Sequence, residues 1–167
     1  MSDEIFEIVN EDGEVIGFAS RSECHSNPEL LHQVAHVLVV NSKDQICLQL
    51  RPAHKDVQPN KWDTSVGGHV DPGEAPAEAA VREMREELGI EGELTFLYRY
   101  VWRSSIESEL VSTYLCHFDG ELNPDPHELA EAKWWTESDV NEKLATGLFT
   151  ENFELEWANY QNYKCQG

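Results

Sequence analysis

Gly68-His69-Val70-Asp71-Pro72-Gly73-Glu74 leads, after seven residues, into Arg82-Glu83-Met84-Arg85-Glu86-Glu87-Leu88-Gly89-Ile90. A glycine-bearing loop thus runs into a segment with three carboxylates close together. Pro76 suits the first position of a helix, where its missing N–H leaves no bond unmade. Gly89 suits the left-handed cap beyond the last turn, so a helix is predicted from about Ala77 to Leu88. At about 100° per residue, Ala77, Val81, Met84 and Leu88 fall on one apolar stripe that can pack on a sheet. Glu83, Glu86 and Glu87 gather on the other side. Their like charges repel by a few tenths of a kcal/mol per pair, so the helix gains nothing from the crowding itself. A hard divalent cation relieves it. Arg82, one turn before Glu86, can pair with that glutamate or orient it. Glu74, in the preceding loop, can reach the same side, and Gly67-Gly68 removes side chains where backbone must approach metal or phosphate. A solvated acidic helix is the plain alternative. The combined glycine, glutamate and arginine spacing weighs against it.

The flanks place this helix in a sheet. Ile5 to Val9 and Val15 to Ala19, joined by Asn10-Glu11-Asp12-Gly13, read as a hairpin, because Asp-Gly between apolar runs is a strong turn signal. Arg21 to Pro28 reads as a polar loop. Val34 to Val40 is rich in β-branched residues and reads as a buried strand, and Ile46 to Leu50 returns antiparallel to it until Pro52. Ala53 to Lys61 is a charged loop, followed by a short extended piece, Trp62 to Val66. Glu93 to Trp102 and Leu110 to Phe118 are two more predicted strands, joined by a polar loop, Arg103 to Glu109. After the acidic loop Asp119 to Glu131 come a short strand, Ala132 to Trp135, and a helix capped by Thr136 and ended by Gly147. Thr150 to Tyr163 forms a last helix, with Phe153, Trp157 and Tyr160 at helical spacing. Trp62 and Trp102 are expected as core or rim aromatics, although either could stack on a base. This order gives an α/β fold: mixed sheets covered by helices in one domain over residues 1–167, with the hairpin in 1–20 and the core in 30–167.

Composition narrows the partners. The chain holds 32 acidic against 12 basic residues, a formal net charge of -20. Such a surface repels nucleic acid backbones, so no polynucleotide partner is expected. No stretch approaches the roughly 20 apolar residues of a membrane span, and Met1-Ser2-Asp3-Glu4 begins acidic with no sign of a signal peptide. Cys24, Cys47, Cys116 and Cys165 make no C-x-x-C pair and suggest no disulfide framework. A cytoplasmic protein is expected, a monomer or homodimer acting on a small molecule.

The opening stretch resembles the Nudix box, G-x5-E-x7-R-E-U-x-E-E-x-G-U with U a bulky apolar residue. Gly68, Glu74, Arg82, Glu83, Met84, Glu86, Glu87, Gly89 and Ile90 meet every specified position. The resemblance implies a Nudix-like α/β/α sandwich. It implies Mg2+ or Mn2+ at Glu83, Glu86 and Glu87, with Glu74 assisting. It also implies water attack on the diphosphate bridge of a nucleoside diphosphate linked to another group. Glu86 and Glu87 are candidates for the general base, with Arg82 beside them, and Glu128 and Glu131 in the late acidic loop are others. Gly67, Gly68 and Arg51 are candidates for contact with the substrate.

The chain is also similar to isopentenyl-diphosphate isomerases, which share the Nudix fold. His25-x6-His32, Trp62-Asp63-Thr64-Ser65-Val66-Gly67-Gly68-His69 and Glu107-Ser108-Glu109 carry this resemblance. It implies a second metal site made of His25, His32, His69, Glu107 and Glu109, a donor set that suits Mn2+, Zn2+ or Fe2+. Two departures count against isomerisation. Gly67 stands where the isomerases place a catalytic cysteine, and the box is intact. The reading is therefore a diphosphate hydrolase, with isomerase as the alternative and a non-catalytic nucleotide sensor as a third possibility.

Overall fold

The computed structural model describes residues 3–55 and 58–166. Strands β1 (Ile5–Val9) and β2 (Val15–Ser20) lead to a single helical turn, α1 (Arg21–Cys24), and then to β3 (Leu31–Val40) and β4 (Gln45–Leu50). Two short strands, β5 (Trp62–Asp63) and β6 (Val66–His69), precede helix α2 (Pro76–Leu88). Strands β7 (Thr95–Arg103), β8 (Ser108–His117) and β9 (Glu131–Thr136) come next, followed by helices α3 (Glu137–Lys143) and α4 (Glu151–Gln166).

The β-branched run in β3 is the spine of a mixed, nine-stranded sheet. β3 pairs in parallel with β8 over its whole length, from Leu31↔Ser108 to Val40↔His117, and β7 lies antiparallel on the far side of β8. β3 meets β4 only at Val40↔Ile46. Beyond that pair the two strands part, and the segment between Trp62 and His69 fills the fork. β5 pairs with β4 at Gln49↔Asp63 and Leu50↔Trp62. β6 pairs with β3 from Val34↔His69 to Val37↔Val66. The sequence expectation of one extended piece ending at Val66 is thus corrected to two strands reaching His69. Gly67 and Gly68 sit in the fork between the two branches.

Alternation along β3 builds the two cores. Ala35, Val37 and Val39 face α2, packing with Ala79, Ala80, Met84 and Leu88. Leu38 and Val40 face the opposite layer, with Phe153, Trp157 and Tyr160 of α4. Burying such side chains contributes about 1.5–3 kcal/mol each, and the result is the expected α/β/α arrangement. Trp62 lies in the second core, edge-on to Trp135. The hairpin turns at Gly13, with φ of 83°, where Asn10 Oδ1 accepts from the backbone N–H of Asp12 and Glu14. It joins the sheet at Ile8↔His32.

Several expectations are corrected. The sheet-facing stripe of α2 is rotated: Val81 and Ala77 are exposed, and Ala79, Ala80 and Glu87 are buried alongside Met84 and Leu88. The loop expected from Arg21 begins as a helical turn, because Ser20 and Glu23 form a capping box. The loop expected over Arg103–Glu109 shrinks to 104–107, so Glu109 is a strand residue. Helix α3 stops at Lys143, where Leu144 turns extended, and Gly147 takes its positive φ in the turn beyond. Asp56 and Val57, within the loop read at Ala53–Lys61, and Met1 and Ser2, within the start read as free of a signal peptide, lie outside the described residues. Among the described residues no helix is long and apolar enough to cross a membrane.

Candidate active site

A cavity of about 650 Å³ opens at the fork of the sheet, and its walls are predominantly polar. Helix α2 supplies one wall because the two glycines let it come close. A Cβ on Gly68 would stand 2.2 Å from the Glu83 carboxyl carbon, so only glycine leaves room for that carboxylate. Glu87 is drawn inward by specific partners: Gly67 N donates to its Oε1 at 3.1 Å and Gln49 Nε2 at 3.0 Å. Those two donors account for the rotated stripe of α2. Burial pushes the Glu87 carboxyl up to about 8, helped by the charge of Glu83. Burial likewise holds Glu83 at about 7, against the lowering pull of Arg82. Glu86 is half-exposed and, among the described residues, pairs with Arg82 at 3.5 Å.

Arg82 is the clamp of this wall. Its Nε and Nη2 donate to the two oxygens of Glu74, each at 2.9 Å. Its Nη1 donates to Glu83 at 2.7 Å, and Nη2 also reaches the carbonyl of His69 at 3.0 Å. The sequence places Glu74 beside the metal ligands in an assisting role; in the structure both of its oxygens accept from Arg82, which also pairs with Glu83. Of the two late candidates for a base, Glu128 lines the cavity, whereas Glu131 lies on β9 paired with Leu50 and does not. Arg51 is on the cavity wall, with Nη1 3.6 Å from Asp63.

The second set of residues also converges. β3 and β8 place His32 directly opposite Glu109, and β6 brings His69 beside them. His25 follows α1, and Glu107 precedes β8. His25, His32 and His69 offer nitrogens within 4.8 Å of one another, and His32, Glu107 and Glu109 do the same with their ligand atoms. His25 Nε2 lies 3.2 Å from His69 Nε2 and 3.4 Å from Glu107 Oε2. Phe6 of the hairpin stacks on His69 and His32, with centroids 4.5 and 5.5 Å apart.

Burial, followed by the neighbouring His25, lowers His32 to about 4, and burial also lowers His25 and His69. Burial thus favours the neutral form of all three imidazoles, the form that binds metals. Burial and then Glu107 push Glu109 up to about 8. Among the described residues neither ring nitrogen of His32 makes a hydrogen bond of ordinary geometry, although the backbone at Leu30 and Ser108 lies near. Buried nitrogens seldom go unpaired, and a cation among these five donors would account for at least one of them. The residues present thus fit a divalent ion here; Glu83, Glu86 and Glu87 line the same cavity, but among the described residues their carboxylates do not come within 4.8 Å of one another as a group of three.

Sequence reasoning missed Gln49, whose amide holds Glu87, along with His36 and Glu156. Gln49 lies in an ordinary strand, and nothing local marks it as the partner of a helix 38 residues away.

Comparison with known proteins agrees with this geometry. The family described as NUDIX domain matches residues 30–153. An isopentenyl-diphosphate Delta-isomerase of Streptomyces coelicolor is 31% identical over 153 residues, covering 87% of this chain and 78% of the relative. An uncharacterized Nudix hydrolase, orf19, of Rhodococcus erythropolis is 35% identical over 154 residues, covering 86% and 83%. The crystal structure of DR0079 from Deinococcus radiodurans superposes with a TM-score of 0.76 at 28% identity, covering 88% of this chain and 92% of that one. The chain belongs to the Nudix family, as a Nudix-type hydrolase of the branch that resembles isopentenyl-diphosphate isomerases.

Proposed function

We propose that this protein hydrolyses the diphosphate bridge of a nucleoside diphosphate linked to a second group. The observation that supports it most is the wall of α2: Glu83, Glu86 and Glu87 gathered on one cavity, with Gly67 and Gly68 bringing bare backbone to the same place. Glu83, Glu86 and Glu87 would hold Mg2+ or Mn2+, which when bound neutralises the bridge, acidifies water and stabilises the leaving phosphate. Arg82 fixes the position of Glu83 through a short ion pair and is itself fixed by Glu74. Gln49 and the Gly67 N–H orient Glu87. Glu86 is the box carboxylate least engaged by protein donors, which suits it to accept the proton of the attacking water. Glu128 is the second candidate for that role. Arg51 sits where it can meet a phosphate across the cavity from α2.

The test is release of a monophosphate from nucleoside diphosphate derivatives, coenzyme A, dinucleotides and prenyl diphosphates, with Mg2+ or Mn2+. Turnover of at least one is expected, abolished by a chelator and reduced about a hundredfold or more in Glu86→Gln. Silence across the panel, or undiminished turnover in that variant, would overturn the proposal.

One observation favours a second reading, isomerisation of isopentenyl diphosphate. Two triads that share His32, one with His25 and His69 and one with Glu107 and Glu109, support a second site of the kind the resemblance implied, and relatives bear that name. Against it, Gly67 offers no proton donor or acceptor for an allylic carbon. Proton exchange into isopentenyl diphosphate without phosphate release would decide for this alternative.

A further inference from the structure

The strands lay one residue each in a row across a single face of the sheet: Gly67 on β6, His36 on β3, Thr113 on β8 and Tyr98 on β7. Glu156 of α4 comes down on this row and is fully buried. Its Oε1 accepts from His36 Nδ1 at 2.8 Å, from Tyr100 OH at 2.9 Å and from Thr113 Oγ1 at 3.0 Å, and its Oε2 accepts from Tyr98 OH. Three of these donors share Oε1 and one takes Oε2, so the carboxylate is heavily engaged. Burial alone would raise Glu156. The hydrogen bond and charge of His36, together with the two tyrosines, outweigh it and keep the carboxyl below its ordinary value. On His36 burial opposes the charge, and the Glu156 hydrogen bond and charge prevail, so the imidazole is raised.

The other edge of that imidazole is directed at the cavity. His36 Nε2 makes no hydrogen bond among the described residues, and the residue lines the cavity wall. A Cβ on Gly67 would lie 3.4 Å from Nε2 and 3.2 Å from Cδ2. Gly67 therefore leaves open a path to Nε2 that any side chain would obstruct. Stability does not require such an arrangement. Buried ion pairs replaced by apolar residues of like volume are often neutral or stabilising, and His36 continues a run of apolar β3 residues on which α4 already packs. The other walls of the cavity carry Glu83, Glu87 and Glu109. Arg21, Arg51, Lys55 and Arg82 line it as well, and a fixed imidazole edge set among these cations can join them in meeting an anionic ligand.

We propose that His36 is a substrate-facing residue whose Nε2–H donates to a phosphoryl oxygen of the bound diphosphate, and that Glu156 is the positioning residue that fixes its ring. This rests on the diphosphate reading above and adds a donor that lies outside both clusters of candidate metal ligands. An incoming phosphate oxygen further favours the doubly protonated ring.

The test uses full-length, 15N-labelled protein with Mg2+ and methylenediphosphonate, a diphosphate that cannot be hydrolysed. The His36 Nε2 resonance is expected to move over the same concentration range as the Gly68 amide. Movement of Gly68 without His36 overturns this proposal and leaves the diphosphate reading standing; movement of neither overturns both. Two substitutions separate substrate contact from scaffolding. His36→Asn keeps a donor near the place of Nδ1, facing Glu156, and loses the one facing the cavity, whereas His36→Gln does the reverse. The Asn variant is expected to bind the probe about tenfold or more weakly, with the Gln variant closer to wild type. Equal binding by wild type and His36→Asn would make the residue a scaffold alone. In Glu156→Gln the His36 ring should titrate at lower pH than in wild type; an unmoved titration would deny Glu156 its role.

Discussion

A methyl group on Gly68 would fall on the carboxyl of Glu83, and that carboxyl has little freedom to retreat because Arg82 holds it at 2.7 Å. Gly68 does not have a positive φ, so alanine there brings crowding without backbone strain. Gly68→Ala is therefore expected to fold with stability lowered by about 1–3 kcal/mol and to lose about a hundredfold in kcat/KM, as misplacement of a reacting group by about 1 Å does. Parallel melting curves and hydrolysis assays check both halves. At this scale the box is largely legible in the sequence, because its spacing prescribes chemistry residue by residue. The roles within it are less so. Glu74 reads as a residue assisting the metal, and its contact with Arg82 is not legible, since a loop carboxylate eight residues before an arginine meets it only once the loop has folded back. His36 gives no local signal at all, because its partner lies 120 residues away.

Elements with a local cause are the most legible. The hairpin follows from Asp12-Gly13, the start of α2 from Pro76 and its end from Gly89, which takes φ of 65°. Elements set by long-range pairing are less so. β6 extends to His69 because β3 offers it an edge, and β8 begins at Ser108 because Leu31 stands opposite. The face of α2 escapes a reading by hydrophobicity alone, which would bury Val81, whereas Gln49 and Gly67 give Glu87 a better reason to turn inward. Helix α4 follows from the spacing of Phe153, Trp157 and Tyr160, all of which are buried. It supplies a prediction at this level. Phe153 has no exposed surface, so Phe153→Ala is expected to lower the unfolding free energy by about 3–5 kcal/mol. Asn162→Ala, on the exposed side of the same helix, should change it by about 0.5 kcal/mol or less. Urea unfolding of both variants measures the contrast.

Over the whole molecule, Glu156 ties α4 to β3, β7 and β8 at one point, so its ionisation bears on global stability. The two linked groups act in opposite directions with pH. Glu156 is lowered from its ordinary 4.5, so its contribution is present above that value and lost as pH falls through the lower folded value. His36 is raised from its ordinary 6.5, so its contribution is full below that value and lost as pH rises through the higher folded one. The melting-temperature gap between wild type and Glu156→Gln is thus expected to be widest between pH 4.5 and 6.5 and to narrow on either side. A gap independent of pH would remove the charge from the explanation. The parallel seam between β3 and β8 has a kinetic consequence as well. Its strands are remote in sequence, so its closure costs loop entropy before its contacts repay it, and such pairings form slowly. His32 and Glu109 face each other across that seam. A cation bridging them would act as a rivet on a late-formed joint, prolonging the lifetime of the folded state more than it hastens folding.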